Sequence, residues 1–344
     1  MPVNPLPRWR GFNLLEMYLA SSGPEPFHEN DFRWIADWGF DFVRLPLSYT
    51  HWTVDGDPLR IDERGLERVD HAVTLAGRYG LHVCLNLHRA PGYCVNTERR
   101  EPFNLWRDPA ALKAFCLHWS LLAHRYRGIS TARLSFDLVN EPPRPLPRVF
   151  SGLARRHGGF TRARHERVVR AAVAAIREVD ARRLIIVDGL NYGRLPCPEL
   201  ADLPGVAQSC RGYEPFELSH YRADWVPRGG RWREPGWPLR RDHFGRRWNR
   251  ARLEKTYVPW VGMIGRGVGV HCGELGCHHH TPHAVFLAWL EDLLAVLSGH
   301  GIGWALWNFR GPFGVLDSRR SDVEYEPWHG HQCDRRLLTL LQAC

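Results

Sequence analysis

The sequence predicts a single (β/α)8 barrel, and three observations lead to that prediction. Short runs rich in β-branched and aromatic residues recur along the 344 residues, and patterns typical of helices separate most of them. Several of these runs are apolar nearly throughout, as expected for strands that are buried on both faces of a parallel sheet. A chain of this length accommodates one barrel with loops, although two domains would also fit. We therefore expect one domain over residues 1–344.

Eight runs qualify as strands of the barrel, and most of them carry a polar residue at or near the end. In chain order the predicted strands cover residues 9–17, 41–47, 82–88, 134–141, 184–189, 216–221, 268–274 and 304–309.

The helices between these runs have recognisable starts. Asp62 can cap a helix with Val69 and Val73 on its apolar side, and Asp108 and Thr281 each stand before a first-turn proline. No comparable strand or helix pattern was identified at about 190–215 and 222–262. Because apolar runs resume on both sides of these segments, we expect long loops there and not linkers.

The positive charge of the chain is carried almost entirely by arginine. The formal net charge is +9, and only Lys113 and Lys255 are lysines. Between residues 225 and 252 the arginines alternate with aromatic residues, a pattern that is also typical of platforms for single-stranded nucleic acid. A solvated loop explains the same pattern, so we expect no nucleic-acid partner.

Nothing in the chain indicates export or a membrane partner. No apolar run approaches the roughly 18 to 20 residues needed to cross a bilayer, and the first residues carry prolines and arginines where a signal peptide would be apolar. Nine cysteines, an odd number without a Cys-x-x-Cys pair, indicate free thiols. We therefore expect a cytoplasmic protein without disulfides.

Active sites of barrels of this class lie at the carboxyl ends of the strands, so the polar residues found there are candidate site residues. They are Arg44, His88, Asn140, Glu141, His220, Tyr221, Glu274 and Trp307. Most of them also have a structural explanation, since an arginine can pair with a neighbouring carboxylate and a tryptophan can fill the barrel. The two glutamates are harder to explain in that way, because burying a charge without partners costs several kcal/mol.

Two carboxylates that converge on one pocket can divide the work of hydrolysing a glycosidic bond. One protonates the leaving oxygen, and the other attacks the anomeric carbon; this retaining chemistry requires the two groups to lie about 5 to 5.5 Å apart. Glu141 and Glu274 end strands on nearly opposite sides of the predicted barrel, so we expect their side chains to converge across its mouth.

Seven short motifs, in order along the chain, resemble those of glycoside hydrolase family 5, the cellulase family of a large clan of retaining hydrolases with an eightfold β/α barrel. The motifs are RGFN at 10–13, VRLP at 43–46, LHRAPG at 87–92, VNEP at 139–142, SHY at 219–221, HCGELG at 271–276 and ALWNFRG at 305–311.

The resemblance implies that Glu141 is the general acid/base and Glu274 the nucleophile. Arg44 is then expected to keep Glu274 ionised and Tyr221 to donate a hydrogen bond to it. Asn140 is expected to bind the sugar hydroxyl next to the anomeric carbon. The remaining candidates are expected to contact sugar, with Trp307 stacking on a ring and the two histidines binding hydroxyls or orienting the carboxylates.

The substrate implied by the resemblance is a β-linked glucan-type polysaccharide or oligosaccharide, cleaved by a monomer without cofactors. Two alternatives stay open: an exo-acting β-glucosidase or β-mannosidase that takes short oligosaccharides, and a catalytically silent carbohydrate-binding barrel. His278, His279 and His280 suggest a metal site, but successive residues do not normally present three ligands to one ion. We therefore expect no metal.

Overall fold

Eight parallel strands in a cyclic order form the centre of the fold. The computed structural model describes residues 2–96, 98–145, 160–227 and 229–344. The strands of its main sheet are β1 Arg10–Asn13, β2 Phe42–Ser48, β3 His82–Ala90, β4 Tyr93–Cys94, β5 Leu134–Asp137, β6 Leu184–Asp188, β7 Val206–Gly212, β8 Val270–Leu275 and β9 Gly303–Leu306. They have the order β2-β1-β9-β8-β7-β6-β5-β3-β4, with an additional pairing between β2 and β3. The short β4 is antiparallel to β3, and the other eight strands confirm the predicted (β/α)8 class.

Helices separate most of the barrel strands. They are α1 Glu29–Asp37, α2 Glu67–Arg78, α3 Pro109–Arg125, α4 Arg162–Val179, α5 Leu190–Gly193, α6 Phe216–Ser219, α7 Arg250–Ile264, α8 His283–Gly299 and α9 Arg335–Gln342. Short 3₁₀ helices lie at Tyr49–Trp52, Val54–Gly56, Glu63–Leu66, Pro198–Leu200 and Gly229–Arg231, and a separate hairpin is formed by β10 Glu326–Trp328 and β11 His331–Cys333.

The predicted starting positions of the helices agree with the structure better than the predicted capping side chains do. The Asp62 side chain accepts a hydrogen bond from the Arg64 amide and leads into α2, as expected. Helices α3 and α8 also begin at the predicted places. However, Asp108 accepts from the Asn104 amide and Thr281 donates to the Leu218 carbonyl, so neither side chain caps its helix.

The sixth barrel strand lies in a different place from the predicted one. Residues 216–221 contain the short helix α6, and the strand is β7, inside the segment 190–215 that was expected to be a loop. Strand β7 was missed because it carries Gln208 and Arg211, which are polar and nevertheless buried. The Gln208 amide is paired with both the N–H and the carbonyl of Cys197, at 2.8 Å each, which removes the cost of burying it.

The second predicted loop, 222–262, is also only partly a loop, because α7 occupies its last third. The Asn249 side chain caps α7 through the Arg252 amide at 3.0 Å, and Leu253, Tyr257 and Trp260 form its buried side. Charged residues and Pro259 interrupt this apolar stripe in the sequence, so the helix was not recognised.

The described chain divides into two compact units. The first consists of Met1–Leu14, Trp38–Phe40 and Cys210–Cys344, and the second of Leu15–Asp37 and Asp41–Ser209. The organisation as one catalytic domain stays a prediction. All nine cysteines are free thiols, as expected. In the described ranges, no helix is both long and apolar enough to cross a membrane.

One buried histidine of the second unit gives a prediction for acid stability. His165 on α4 is fully buried beside Trp106 and Phe160, and neither ring nitrogen has a hydrogen-bond partner among the described residues. Burial lowers the pKa of His165 from 6.5 to about 3, with a smaller contribution from Arg162. Below pH 6.5 the unfolded chain therefore binds a proton that the folded chain excludes, and stability falls as the pH decreases towards 3.

We therefore expect His165→Leu to reduce the acid sensitivity of folding. The loss of unfolding free energy between pH 7 and pH 4.5 should shrink by roughly 2 to 3 kcal/mol, because each pH unit below 6.5 costs about 1.4 kcal/mol for this group. Urea unfolding at the two pH values measures the difference. His71→Leu, at an exposed position of α2, serves as the control, and an equal acid sensitivity of His165→Leu and the parent protein would contradict the expectation.

Candidate active site

Glu141 stands in a strained turn that follows β5 in the second unit. Its φ of +49° lies in the left-handed region that non-glycine residues rarely adopt. The turn is held from both sides, because the Glu141 amide donates to Asp188 Oδ2 at 2.9 Å and the Tyr93 hydroxyl donates to the Glu141 carbonyl at 2.6 Å. Burial raises the pKa of Tyr93 well above its ordinary value, so this hydroxyl stays a donor. The Glu141 side chain itself is half-buried.

Arg44 on β2 organises the residues around this turn. Its Nε donates to Asp137 Oδ2 at 2.9 Å, its Nη2 donates to Asn140 Oδ1 at 2.9 Å, and Nη2 lies 3.9 Å from Asp188 Oδ2. All four side chains are at most 1% exposed. The guanidinium therefore pairs with the buried Asp137 carboxylate, lies close to that of Asp188 and fixes the orientation of the Asn140 amide. We call Arg44, Asp137, Asn140, Glu141 and Asp188 the Glu141 cluster.

His88 lies on β3 in the same unit and is 3% exposed. The ring of Tyr18 meets the His88 ring edge-on, with 5.6 Å between the centroids. This contact holds the imidazole in one orientation, as a residue that binds a sugar hydroxyl would need. Its contact with a substrate, like the expected effect of Arg44 on Glu274, stays a prediction.

Glu274 lies on β8 in the first unit, and both of its carboxylate oxygens have partners. Arg211 Nη2 is 3.2 Å from Oε1, and the Tyr213 hydroxyl donates to Oε2 at 3.0 Å. Glu274 is 4% exposed, so the cation and the donor offset the cost of burying its charge. Asn13 bonds the neighbouring Gly273 carbonyl at 3.0 Å, which supports the strand at this point. Arg211, Tyr213 and Glu274 are called the Glu274 cluster.

Tyr213 replaces Tyr221 as the phenol that binds this carboxylate. The sequence analysis expected Tyr221 because it placed the sixth strand at 216–221. Strand β7 ends at Gly212, so the first tyrosine after the true strand is Tyr213. Tyr221 is buried, lies under the Arg222 guanidinium and is not a partner of Glu274 among the described residues. That part of the prediction is wrong, whereas a contact of Tyr221 with sugar stays a prediction.

We expect Tyr213→Phe to lower kcat about 10- to 100-fold, because it removes a charge-stabilising hydrogen bond from a buried carboxylate. Tyr221→Phe removes a phenol hydroxyl that does not bind Glu274, so it should lower kcat less. Steady-state kinetics on one aryl β-glycoside compare the two variants, with thermal melts to confirm folding. A larger loss for Tyr221→Phe would show that the hydrogen bond to Glu274 does not support turnover.

His220 lies directly after α6 and is held on three sides. Its Nδ1 is 2.9 Å from the Ser219 hydroxyl, its ring stacks on Phe216 at 4.0 Å between centroids, and Tyr213 meets it edge-on at 4.9 Å. The Ser219 hydroxyl donates to the Tyr213 carbonyl at 2.6 Å, so His220 and the Glu274 cluster are linked directly. Of the predicted residues in this unit, the structure thus brings His220 close to Glu274 through Tyr213.

The first unit carries two partly exposed tryptophans, the predicted site residue Trp307 and Trp225, which was not a predicted one. Trp225 is 59% exposed although it contacts Phe313, His220 and His278, at 6.2, 6.3 and 5.2 Å between centroids. Trp307 follows β9, is half-buried and has its amide bonded to the Leu275 carbonyl at 2.8 Å. Exposed indole faces beside a buried carboxylate provide surfaces on which sugar rings can pack.

Three successive histidines bring ring nitrogens together in the turn after β8, which their adjacent positions in the sequence did not predict. One ring nitrogen of each of His278, His279 and His280 lies within 4.8 Å of the others, and His165, Cys197 and Glu199 form a second such group. Convergence of ligand atoms alone does not assign a metal. The expectation of no metal therefore stays a prediction, without the spacing argument that supported it.

Comparison with known proteins identifies the family to which this chain belongs. The family model described as cellulase (glycosyl hydrolase family 5) matches residues 4–311. A crystal structure described as a glycoside hydrolase is 40% identical, covers 98% of this chain and 99% of its own, and superimposes with a TM-score of 0.90.

Two characterised relatives align over most of their length. Endoglucanase C of Acetivibrio thermocellus is 26% identical over 321 residues, which cover 87% of this chain and 88% of the relative. Cellodextrinase A of Ruminococcus flavefaciens is 25% identical over 278 residues, which cover 80% and 76%. The protein is a glycoside hydrolase. It belongs to glycoside hydrolase family 5, as the seven motifs indicated.

Proposed function

We propose that this protein is a retaining hydrolase of β-linked glucans that cleaves within the chain, with Glu274 as nucleophile and Glu141 as general acid/base. The observation that carries the proposal is the environment of Glu274. A carboxylate held on both oxygens by Arg211 and Tyr213 is fixed in position, as a nucleophile must be. The half-buried Glu141, in contrast, stands in a turn whose backbone is held by Asp188 and Tyr93, and its carboxyl group is proposed to carry the proton transfer.

The first step of the proposed mechanism forms a glycosyl-enzyme. A Glu274 oxygen bonds to the anomeric carbon while the bond from that carbon to the leaving oxygen breaks, and the Glu141 proton moves to the leaving oxygen. In the second step a water attacks the same carbon, gives a proton to Glu141 and displaces Glu274. Two inversions at one carbon leave the β configuration of the substrate unchanged.

Asn140 has a separate part in this proposal. Its Oδ1 accepts from Arg44, so its amide N–H groups are the ones that can be offered to a sugar hydroxyl. A hydrogen bond to the hydroxyl next to the anomeric carbon strengthens as positive charge develops on the sugar ring. Trp307 and Trp225 are proposed to pack against sugar rings on the side of the Glu274 cluster.

The proposal of internal cleavage is supported by the endoglucanase relative, and the name of the cellodextrinase supports an alternative that prefers short oligosaccharides. Internal cleavage and exo action differ in how quickly they shorten a polymer. An enzyme that cleaves internally lowers the viscosity of a β-1,4-glucan solution long before many reducing ends appear. An exo-acting enzyme releases reducing ends at nearly constant viscosity and hydrolyses aryl glycosides of single sugars.

The stereochemistry of the first product tests the mechanism. Proton NMR during the first minutes of hydrolysis should show the β anomer before mutarotation produces the α anomer. Initial release of the α anomer would exclude double displacement, and the absence of turnover on aryl glycosides, glucan and mannan would favour a silent carbohydrate-binding barrel.

A further inference from the structure

A basic pocket lies beside the Glu274 cluster, within the same unit. It has a volume of about 1080 Å³ and is lined by residues 231–236, 238–243 and 247–249 together with Glu217. We call it the arginine pocket. Part of the stretch 225–252, which the sequence analysis interpreted as a solvated loop, thus forms a concave surface; Arg228 of that stretch lies outside the described residues.

Most of the cations in this pocket have no partner among the described residues of the protein. The arginines among its lining residues are exposed, and in the described part of the chain none of them forms an ion pair or a side-chain hydrogen bond. They are Arg231, Arg233, Arg240, Arg241 and Arg247. Elsewhere in the protein arginines commonly pair with carboxylates, as Arg125 does with Asp70 and Arg170 with Asp202. The pocket therefore offers a positive surface that the described carboxylates of this chain do not pair with.

The carboxylates that line the pocket are largely occupied. Asp242 accepts from Arg246 Nε at 2.8 Å and from the Trp248 indole at 2.9 Å, and Glu217 is bonded to His243. Of the lining acids, only Glu234 has no described partner. The pocket therefore contains five arginines but only one acid that is left to pair with them. Binding of an anionic ligand in the pocket is electrostatically favourable for this reason.

The arginines project from a folded segment. Leu239 and Trp248 pair as an antiparallel bridge, and the Asp242 side chain accepts from the amides of Phe244 and Arg246 at 2.9 and 2.8 Å. Asp242 is 8% exposed, and its hydrogen bonds to these backbone amides hold the loop together. A loop held in this way presents its cations at defined positions, which lowers the entropy that a ligand must overcome on binding.

The pocket is connected to Glu274 by a series of ring contacts. Trp232, a half-exposed lining residue, lies 6.1 Å from Phe216 between centroids, and Phe216 stacks on His220. His220 contacts Tyr213, whose hydroxyl binds Glu274. These successive contacts place the arginine pocket within a few side chains of Glu274, a separation that a substrate of several sugar units can span.

We infer that the substrate is a β-glycan that carries carboxylate groups, as uronic acids do, and that the arginine pocket binds such groups a few sugar units from the cleaved bond. The inference rests on the proposed function and narrows its substrate class. Guanidinium groups bind carboxylates in a bidentate manner, and Trp232 offers a face for the sugar ring that bears the acid. A neutral β-glucan would leave the arginines without partners.

The test uses two polymers with the same β-1,4-glucan backbone, anionic carboxymethylcellulose and neutral hydroxyethylcellulose. We expect the parent protein to have the higher kcat/KM on the anionic polymer, and Arg240→Gln/Arg241→Gln to lower the ratio of the two kcat/KM values about tenfold. Arg231→Gln/Arg233→Gln should act in the same direction. The ratio of the parent protein should also fall as NaCl rises from 20 to 300 mM.

The matched control is Arg127→Gln/Arg182→Gln, which removes the same charge from exposed arginines in turns that precede β5 and β6. A ratio that stays within twofold of the parent value in both pocket variants would overturn the inference. So would an equal fall of the ratio in the control, because it would assign the effect to net charge alone.

Binding measurements separate this inference from the proposed function. Retardation in native gels that contain either polymer reports affinity without turnover, and Glu274→Gln removes cleavage during the run. If the parent protein cleaves no polymer and no aryl β-glycoside but the arginines still confer preferential binding to carboxymethylcellulose, the proposed function fails and the anionic specificity stands. Arginine-dependent binding of a dT20 oligonucleotide without retardation by carboxymethylcellulose would instead assign the pocket to nucleic acid.

Discussion

Replacing Glu274 by Ala should lower turnover of an aryl β-glycoside by on the order of 10⁴-fold or more, since no other group can then form the glycosyl-enzyme. The space left by the side chain admits a small anion. Added azide should therefore restore turnover of a substrate with a good leaving group such as 2,4-dinitrophenolate. Because azide attacks in a single displacement, the product should be the α-glycosyl azide, with inverted configuration.

The fold of the variant needs an independent check, because Glu274 neutralises Arg211 in a buried site. Removing one partner of a buried ion pair costs about 3 to 5 kcal/mol, so thermal melts of the variant should precede the kinetics. Glu274→Gln keeps the shape and serves as the second variant. Glu166→Ala, on the side of α4 where Glu166 pairs with Arg170, is the control for general effects of losing a glutamate. A β-configured azide, or turnover close to that of the parent protein, would remove Glu274 from the role of nucleophile.

The candidate site residues with the clearest physical basis in the sequence are those whose burial would otherwise be unfavourable. Glu274 ends an apolar run, and Glu141 and Asn140 follow another, so a charge or amide at these positions needs a reason beyond packing. The structure supplies such reasons locally, with Arg211 and Tyr213 around Glu274 and Arg44 beside Asn140. A regular apolar pattern thus predicts where the strands lie. It also shows which polar residues interrupt a buried run and are therefore candidates for the site.

The partners of these residues were harder to predict, because they stand on polar strands. Arg211 belongs to β7, which also carries Gln208 and Ser209 and does not alternate or run apolar as a buried strand should. Its polar residues are satisfied by tertiary contacts, such as that of Gln208 with Cys197, which a local pattern does not reveal. The misplacement of this one strand led directly to the wrong tyrosine, because the choice between Tyr213 and Tyr221 depends on where the strand ends.

The arginine pocket shows a second feature that amino-acid composition does not predict. Arginines alternating with aromatic residues are compatible with a solvated loop, a nucleic-acid platform or a ligand pocket, and the sequence does not distinguish them. The distinction depends on which charges pair with each other. Asp242 and Glu217 have partners in the folded loop, whereas the five arginines have none among the residues that the structure describes, and the sequence does not show this difference.

Replacing Glu141 should have an effect that depends on the leaving group, which distinguishes an acid/base from a nucleophile. General acid catalysis contributes typically about 10² to 10⁴-fold, and it is needed most when the leaving oxygen is basic. Glu141→Gln should therefore lose about 10³-fold on a glucan or a phenyl glycoside. Formation of the glycosyl-enzyme from a 2,4-dinitrophenyl glycoside should be nearly unaffected, since that leaving group departs without a proton.

The second half of the reaction provides the decisive measurement. Without its general base, Glu141→Gln should accumulate the glycosyl-enzyme, so a dinitrophenyl glycoside should give a burst of phenolate that equals the enzyme concentration, followed by slow turnover. Azide needs no base and should accelerate the slow phase, yielding the β-glycosyl azide, opposite in configuration to that from Glu274→Ala. Glutamine preserves the size of the side chain in the strained turn at φ +49°, so a loss that is equal for all leaving groups, without a burst, would indicate a structural role for Glu141.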